Sequence, residues 1–302
     1  LAKSPTYSGA VASVTANSIT VGDSPAPFTA GALSTATTPY FVKFLSGVET
    51  GRVVKITSNT AGTLSLDTTD NSPQTVALTA SGFTVQPGDT FEVFSGDTLS
   101  SVFGANNSAS PLILKSGSTI FTADTVAIYN TSLTRWQTYY FSTATGNWLL
   151  YGSTANANNT VLYPYGAFTV ARRANDAAAS LVMTGRVAEV AMLTKTTGSD
   201  VDTFSSTKYA SDIKLSQLKF GANWTQGTSA FTADTVAVWD STLTRFDTYY
   251  QMPDSTWRKF GSPTVDTSSQ VLPAGSVLSI LKRSAVSGAT SFLQSVLPYS
   301  VN

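Results

Sequence analysis

Hydrophobic and polar residues alternate over short stretches of this chain, and turn-forming residues interrupt the alternation at intervals of about 8 to 12 positions, the spacing of an all-β protein. In "DTVAIYN" Val126 and Ile128 fall on one side and Ala127 and Tyr129 on the other, the period of two that gives a strand two unlike faces. The stretch "RWQTYYF" (135–141) is aromatic and β-branched over strand length, and "NTSLTR" before it reads as a turn. "ATGN" followed by "NWLLYG" predicts a hairpin and its second strand; "GAFTVARR" and "SLVMTGRV" predict two more. Only "DTLSSVFG" and "SDIKLSQLKFG" suggest a helical turn or two, started by Asp and closed by Gly.

Residues 1–97 carry the same kind of pattern in a different order. "GAVASVTANSITVGD" predicts a hairpin turning near Ala16 and Asn17, and "YFVKFLSGVETGRVVKITSNTAGTLSLD" a three-strand meander broken at "SGVETG" and "SNTAGT". "VQPGDTFEVF" adds a turn and a strand with Phe91 and Val93 on one face.

The second part of the chain is written twice. "FTADTVAIYNTSLTRWQTYY" at 121–140 is answered by "FTADTVAVWDSTLTRFDTYY" at 231–250. "LSSVFGAN" is answered by "LSQLKFGAN", "GNWLLYGS" by "STWRKFGS", "VLYPYGAFTVARR" by "VLPAGSVLSILKR", and "SLVMTGRV" by "SFLQSVLPYSV". The order never changes, which marks a duplicated unit. The expected fold class is all-β: an N-terminal β-barrel or sandwich domain (1–97), then two duplicated small β-domains of about five strands each (98–200 and 201–302). The polar, aperiodic stretch "AMLTKTTGSDVDTFSSTKYASD" is expected to be the linker between the copies.

Composition narrows the chemistry. Charged residues make up 12% of the chain, against roughly 25% in an ordinary domain. The 18 basic and 18 acidic residues cancel, and without a basic stripe nucleic acid is not an expected partner. There is no apolar run long enough for a membrane span. Cysteine and histidine are both absent, which removes thiol nucleophiles, disulfides, the commonest general base and the commonest transition-metal ligands. The chain starts at Leu1 with no leader of its own, so removal of a signal peptide is expected.

Few residues remain as candidates for a site. The repeated "TAD" puts Asp124 and Asp234 at equivalent positions, either as an acid and base pair or as acceptors for turn backbone; duplication predicts equal environments and favours the second. Glu49, Glu92 and Glu189, the only glutamates, have no acidic neighbour in sequence. Asp67 to Asn71 and Asp200 with Asp202 offer oxygens for Ca²⁺ but lack the spacing of a calcium loop. All five tryptophans, 136, 148, 224, 239 and 257, lie in the duplicated region. Trp136 is answered by Phe246 and Tyr129 by Trp239, an exchange of rings that points to core filling; exposed rings would instead suit stacking on sugars. Arg172, Arg173, Lys282 and Arg283 are expected as solvated charges at strand ends.

"GDTLSSVFG", "TADTVAIYN", "TYYFSTATGNW", "LVMTGRV", the terminal "LPYSV" and the meander of residues 40–67 together resemble a family of secreted β-proteins without assigned activity, found mainly in Verrucomicrobia-type bacteria. The resemblance implies export, brings no catalytic residue, and implies no cofactor. The expected function is that of a non-enzymatic, exported structural subunit, a homo-oligomer or homopolymer forming an extracellular filament or surface layer through β-strand and apolar contacts. Tyr7 and Val11 near one terminus, and Leu293, Leu297, Tyr299 and Val301 near the other, are the expected strand-exchange or subunit-contact residues. The alternative is a cell-surface carbohydrate-binding module using exposed aromatics.

Overall fold

A computed structural model describes residues 3–69, 75–82, 84–173, 181, 185–196, 202–221, 223–240, 242–283 and 292–299. Its elements are almost entirely strands. The first six close a barrel: β1 (Pro5–Val14), β2 (Ser18–Val21), β3 (Tyr40–Phe44), β4 (Val53–Asn59), β5 (Thr63–Asp67) and β6 (Thr90–Ser95), in the cyclic order β1, β2, β5, β4, β3, β6. The β1–β2 turn falls at Ala16 and Asn17, where the Thr15 amide donates to Ser18 and the Thr15 hydroxyl caps the loop. Val42, Phe44, Phe91 and Val93 fill the interior.

Strands β3 and β6 are buried on both faces, and the reason lies outside the barrel. Phe41 and Phe94 point outward and are covered by Tyr163 and Tyr165 of the following unit, with the Phe41 and Tyr163 rings 5.5 Å apart. Beside them Lys43 and Glu92, both buried, form an ion pair at 2.6 Å. Arg186 adds a second cation to Glu92 at 3.4 Å.

Copy 1 contains β7 (Asp97–Thr98), the helix α1 (Leu99–Phe103), β8 (Thr125–Asn130), β9 (Arg135–Ser142), β10 (Asn147–Leu150), β11 (Val161–Leu162) and β12 (Phe168–Ala171). Its main sheet has the order β10, β9, β8, β12, and β7 pairs with β11. The helix is capped by Thr98 rather than Asp97, because the Thr98 hydroxyl reaches the Ser101 amide, and Gly104 at φ +88° ends it.

The stretch expected as a linker is not one. It supplies β13 (Met192–Lys195) and β14 (Asp202–Ser206). The inward positions of β14 are hydroxyls, Thr203 and Ser205, so its alternation is present but hidden from a hydrophobic pattern; β13 buries Met192 and Lys195. Copy 2 then has β15 (Ile213–Lys214), a single 3₁₀ turn at Leu215–Gln217, β16 (Leu218–Phe220), β17 (Thr235–Asp240), β18 (Arg245–Gln251), β19 (Trp257–Lys259), β20 (Val271–Leu272), β21 (Val277–Leu281) and β22 (Phe292–Ser295). The helical turns expected over "SDIKLSQLKFG" are therefore reduced to that one turn, because Leu218 resumes extended backbone.

The two copies repeat the same ladder. Copy 2 runs β14, β21, β17, β18, β19, and β15 pairs with β20 as β7 does with β11. Even the register recurs: Val126 faces Tyr139 and Val170, as Val236 faces Tyr249 and Ile280. A third small sheet places β22 between β13 and β16. Of the strand expected at "SLVMTGRV", residues 180 and 182–184 lie outside those described, and residues 185–187 belong to no strand.

The three units are joined by side chains and by backbone. Leu193 N–H donates to the Gly51 carbonyl at 3.1 Å, and Lys195 Nζ to the Thr68 carbonyl at 3.2 Å. Gly51 has φ +83°, and a Cβ there would collide with the Ala191 carbonyl, so this contact needs glycine twice over. Between the copies Phe204 of β14 sits 4.5 Å from Tyr129, 5.0 Å from Trp136 and 6.1 Å from Phe246, measured between ring centroids.

Candidate functional site

The repeated aspartates are fully buried, and each ties the loop before it to a strand end nearly fifty residues later. Asp124 Oδ2 accepts from the Lys115 amide at 3.0 Å and from Arg172 Nε at 3.1 Å, while Oδ1 accepts from the Arg173 amide at 2.8 Å. Asp234 does the same with the Thr225 amide at 2.8 Å, Lys282 Nζ at 3.3 Å and the Arg283 amide at 2.7 Å. Burial alone would raise the Asp124 carboxyl, but the Lys115 and Arg173 amides and the Arg172 guanidinium outweigh it and hold it below its ordinary range. A carboxylate with its lone pairs filled this way is a structural acceptor, poorly placed to move protons.

These contacts correct the expectation that the basic strand ends are solvated. Lys282 is only 1% exposed, held between Asp234 and the Asn223 carbonyl. Arg172 keeps partial access to solvent, while Arg173 donates to the carbonyls of Ala123 and Ile120. The strand-end charges are one half of the staple.

The tryptophans divide into three environments. Trp148 and Trp257 occupy the same register position in the two copies and are both buried in the cores; Trp148 Nε1 donates to the Gly104 carbonyl at 2.9 Å. Trp136 is half-buried at the contact between copies, and its counterpart Phe246 lies on the same aromatic cluster. Trp239 is exposed, and Trp224 is half-buried. Core filling therefore accounts for two of the five.

Sequence reasoning passed over the most exposed rings. Phe121 is 73% exposed and its counterpart Phe231 72%, and each stands in a loop anchored by an adjacent staple. Tyr151 and Phe260, also counterparts, are exposed too, and Phe231 meets Phe260 edge to face at 5.5 Å. The signal was present in the repeated "FTAD": an aromatic retained outside the alternating stretch has no core to serve.

The remaining acidic candidates are engaged. Glu49 pairs with Arg52 at 2.9 Å, Glu92 with Lys43, and Glu189 with Arg186. Asp67 accepts from the Thr69 hydroxyl at 2.6 Å and from Tyr163 at 3.2 Å, and Asp202 accepts from Ser279 at 2.6 Å. Asp70, Asn71 and Asp200 lie outside the described residues. Among the described residues no group of three or more acidic side chains gathers where a metal would sit, and no helix is long and apolar enough to cross a membrane.

The terminal residues are built into the fold. Tyr7 and Val11 belong to β1, which is paired with β2 on one side and β6 on the other. Tyr7 donates to Asp23 at 2.6 Å, and burial together with that carboxylate pushes its hydroxyl up to about 12. Leu293 lies in β22, which is paired on both sides; Leu297 packs against the copy 2 core; the Tyr299 hydroxyl donates to the Ala188 carbonyl at 2.8 Å. Val301 lies outside the described residues. Exchange of either terminal strand would have to replace two ladders.

A cleft of about 380 Å³ opens where the three units meet, lined by Lys3, Phe94, Tyr163, Tyr165, Lys208 and Tyr209 among others. Its cations are already engaged, Lys3 by Asp97 and the Gly96 carbonyl, Lys208 by the Leu193 carbonyl. It reads as a seam between units.

One edge is open. Among the described residues no strand pairs with the outer side of β12, whereas β21, its counterpart, is covered by β14 over five residue pairs. Val170 is consequently 39% exposed and Ile280, at the same position, 0%. Compared with known protein families, with curated proteins and with solved structures, the chain matches none.

Proposed function

We propose that this chain is a non-catalytic, exported scaffold subunit that assembles with copies of itself into an extracellular filament or surface layer. The open edge of β12 carries the reading. An uncovered strand presents unpaired backbone donors and acceptors to any strand that can reach it, and copy 2 demonstrates what such a strand does at the equivalent position. A second chain that lays a strand along β12 would extend the sheet of copy 1 from four strands to five. The exposed rings of Phe121 and Tyr151 in copy 1, and of Phe231 and Phe260 in copy 2, add apolar contact points on an otherwise hydroxyl-rich surface. Low net charge removes the repulsion that ordinarily keeps copies apart.

Light scattering across concentration, with electron microscopy of the concentrated protein, tests this. Parent protein is expected to form larger species as concentration rises, and a Thr169→Lys/Ala171→Lys variant, which sets like charges along the edge, to stay monomeric with an unchanged fold. A parent chain that is monomeric at every concentration overturns the reading.

A further inference from the structure

Beyond assembly, we propose that copy 2 holds a binding site for a neutral sugar unit of a polysaccharide, in the groove bordered by Phe220, Trp224, Gln226, Gln251 and Ser255. Copy 1 is filled at the same place. Phe141 of copy 1 faces Trp148 across the ladder and is buried against it, with the rings 5.9 Å apart. Between Asn106 and Leu114 the chain of copy 1 is seven residues longer than that of copy 2, and the extra length folds back over Phe103. Ile113 N–H donates to the Phe103 carbonyl at 3.0 Å, Ala105 N–H to Ser110 at 2.7 Å, and Gly104 is pressed so closely to the Pro111 carbonyl that a Cβ would collide with it. Phe103 is sealed as a result.

Copy 2 has neither device. Asn223 leads directly into Trp224, and the residue that faces Trp257 across the ladder is Gln251 instead of a phenylalanine. A groove of about 480 Å³ takes the place of the filling, within the size range of small-ligand sites. Its apolar wall holds a stacked ring pair, Phe220 and Trp224, with centroids 3.8 Å apart and planes 19° from parallel. The Trp224 indole N–H, shielded from solvent, has no acceptor among the described residues. A buried donor left open in this way calls for an explanation, and a ligand oxygen reached by a small shift of the ring supplies one.

The opposite wall is made of amides. Gln226 donates to Gln251 at 3.1 Å and to the Ser255 hydroxyl at 3.4 Å, and Gln251 donates to the Ser255 carbonyl at 3.3 Å. Two coupled primary amides offer donors and acceptors side by side, which is what vicinal hydroxyls require, while an outer face of the ring stack suits the C–H face of a pyranose. Among the described residues the only charged side chain on the lining is Lys219, so a polyanion finds no cluster to hold it.

The test is tryptophan fluorescence of the full chain titrated with soluble laminarin, xylan, galactomannan and dextran, with heparin as the anionic comparison. The Thr169→Lys/Ala171→Lys background keeps assembly from confusing the signal. At least one neutral polysaccharide is expected to shift or quench the emission saturably. Gln251→Phe, which restores the residue of copy 1 and so retains the fold, is expected to weaken binding by about tenfold or more, as is Trp224→Ala; Phe231→Ser, outside the groove, is expected to leave it unchanged. No response to any neutral polysaccharide, a response to heparin alone, or unchanged binding by Gln251→Phe and Trp224→Ala together would overturn the proposal. None of these results bears on assembly through β12, which is read by scattering.

Discussion

Copy 1 and copy 2 have the same ladder, the same register and the same buried aspartate, yet they differ wherever the ladder meets something else. Copy 2 receives a fifth strand at its edge and leaves a polar groove beside its core tryptophan; copy 1 fills the groove with Phe141 and a longer loop and, among the described residues, leaves β12 uncovered. The internal frame of a β-unit is over-determined by many mutually supporting contacts, so a duplicated sequence holds it fixed. Edges and loop insertions are constrained by one partner each and are free to diverge. Function is accordingly to be sought where the copies disagree.

The largest effect is expected where they agree most. Trp148→Ala and Trp257→Ala remove buried rings at matched positions, and each should cost about 3–5 kcal/mol by urea unfolding. If only one of the pair destabilises to this degree, the copies do not share a common frame.

The staple separates the copies by a smaller margin. Asp234→Ala leaves Lys282 buried with its counter-charge gone, a change expected to cost about 3 kcal/mol or more. Asp124→Asn should cost about 1–3 kcal/mol, because Arg172 can turn toward solvent. The pH dependence follows from the depressed Asp124 carboxyl. A folded value below the unfolded one gives stability that is present above the unfolded pKa, about 4, and is lost as pH falls through the folded value. The gap in stability between parent and Asp124→Asn should therefore be widest at neutral pH and shrink in acid. A gap that widened below pH 4 would show that the amide contacts do not favour the charged form.

Much of this frame is legible in the sequence, and the limits are physical. Strands such as 125–130 and 135–142 announce themselves because β-branched and aromatic residues run over strand length between turn signals, and the duplication shows because motif order survives divergence. The staple is half visible: "TAD" repeats, but its partners Arg172 and Lys282 lie 48 positions away, a distance only the folded ladder spans. Strand β14 escapes because threonine and serine fill its inward positions, with hydroxyl contacts such as Thr194 with Ser205 at 3.3 Å, and β13 escapes because one of its two buried positions is a lysine, Lys195. Nor could the groove be foreseen, since Gln251 signifies nothing until it is set against Phe141 in register.

Gly51 sharpens the comparison from the side of the barrel, which touches β13 through this residue. Gly51→Ala forces an unfavourable positive φ and pushes a methyl into the Ala191 carbonyl, at an expected cost of about 1–3 kcal/mol. Measured by proteolysis, the damage should appear first as cleavage near 191–196, with the barrel itself retained.

The smallest effect is expected at the most conspicuous residues. Phe121→Ser and Phe231→Ser each replace a ring that is mostly in water, so stability should move by no more than about 0.5 kcal/mol. Each loop is held without its ring, by Thr119 with Thr122 in copy 1, by Ser229 with Thr232 in copy 2, and by the aspartate that follows. Solubility is the quantity that should change: removing both rings takes apolar area from the surface and should raise the concentration at which the protein associates. A loss of stability comparable to that of Trp148→Ala would mean instead that the phenylalanines belong to the core, and that both copies display nothing at this position.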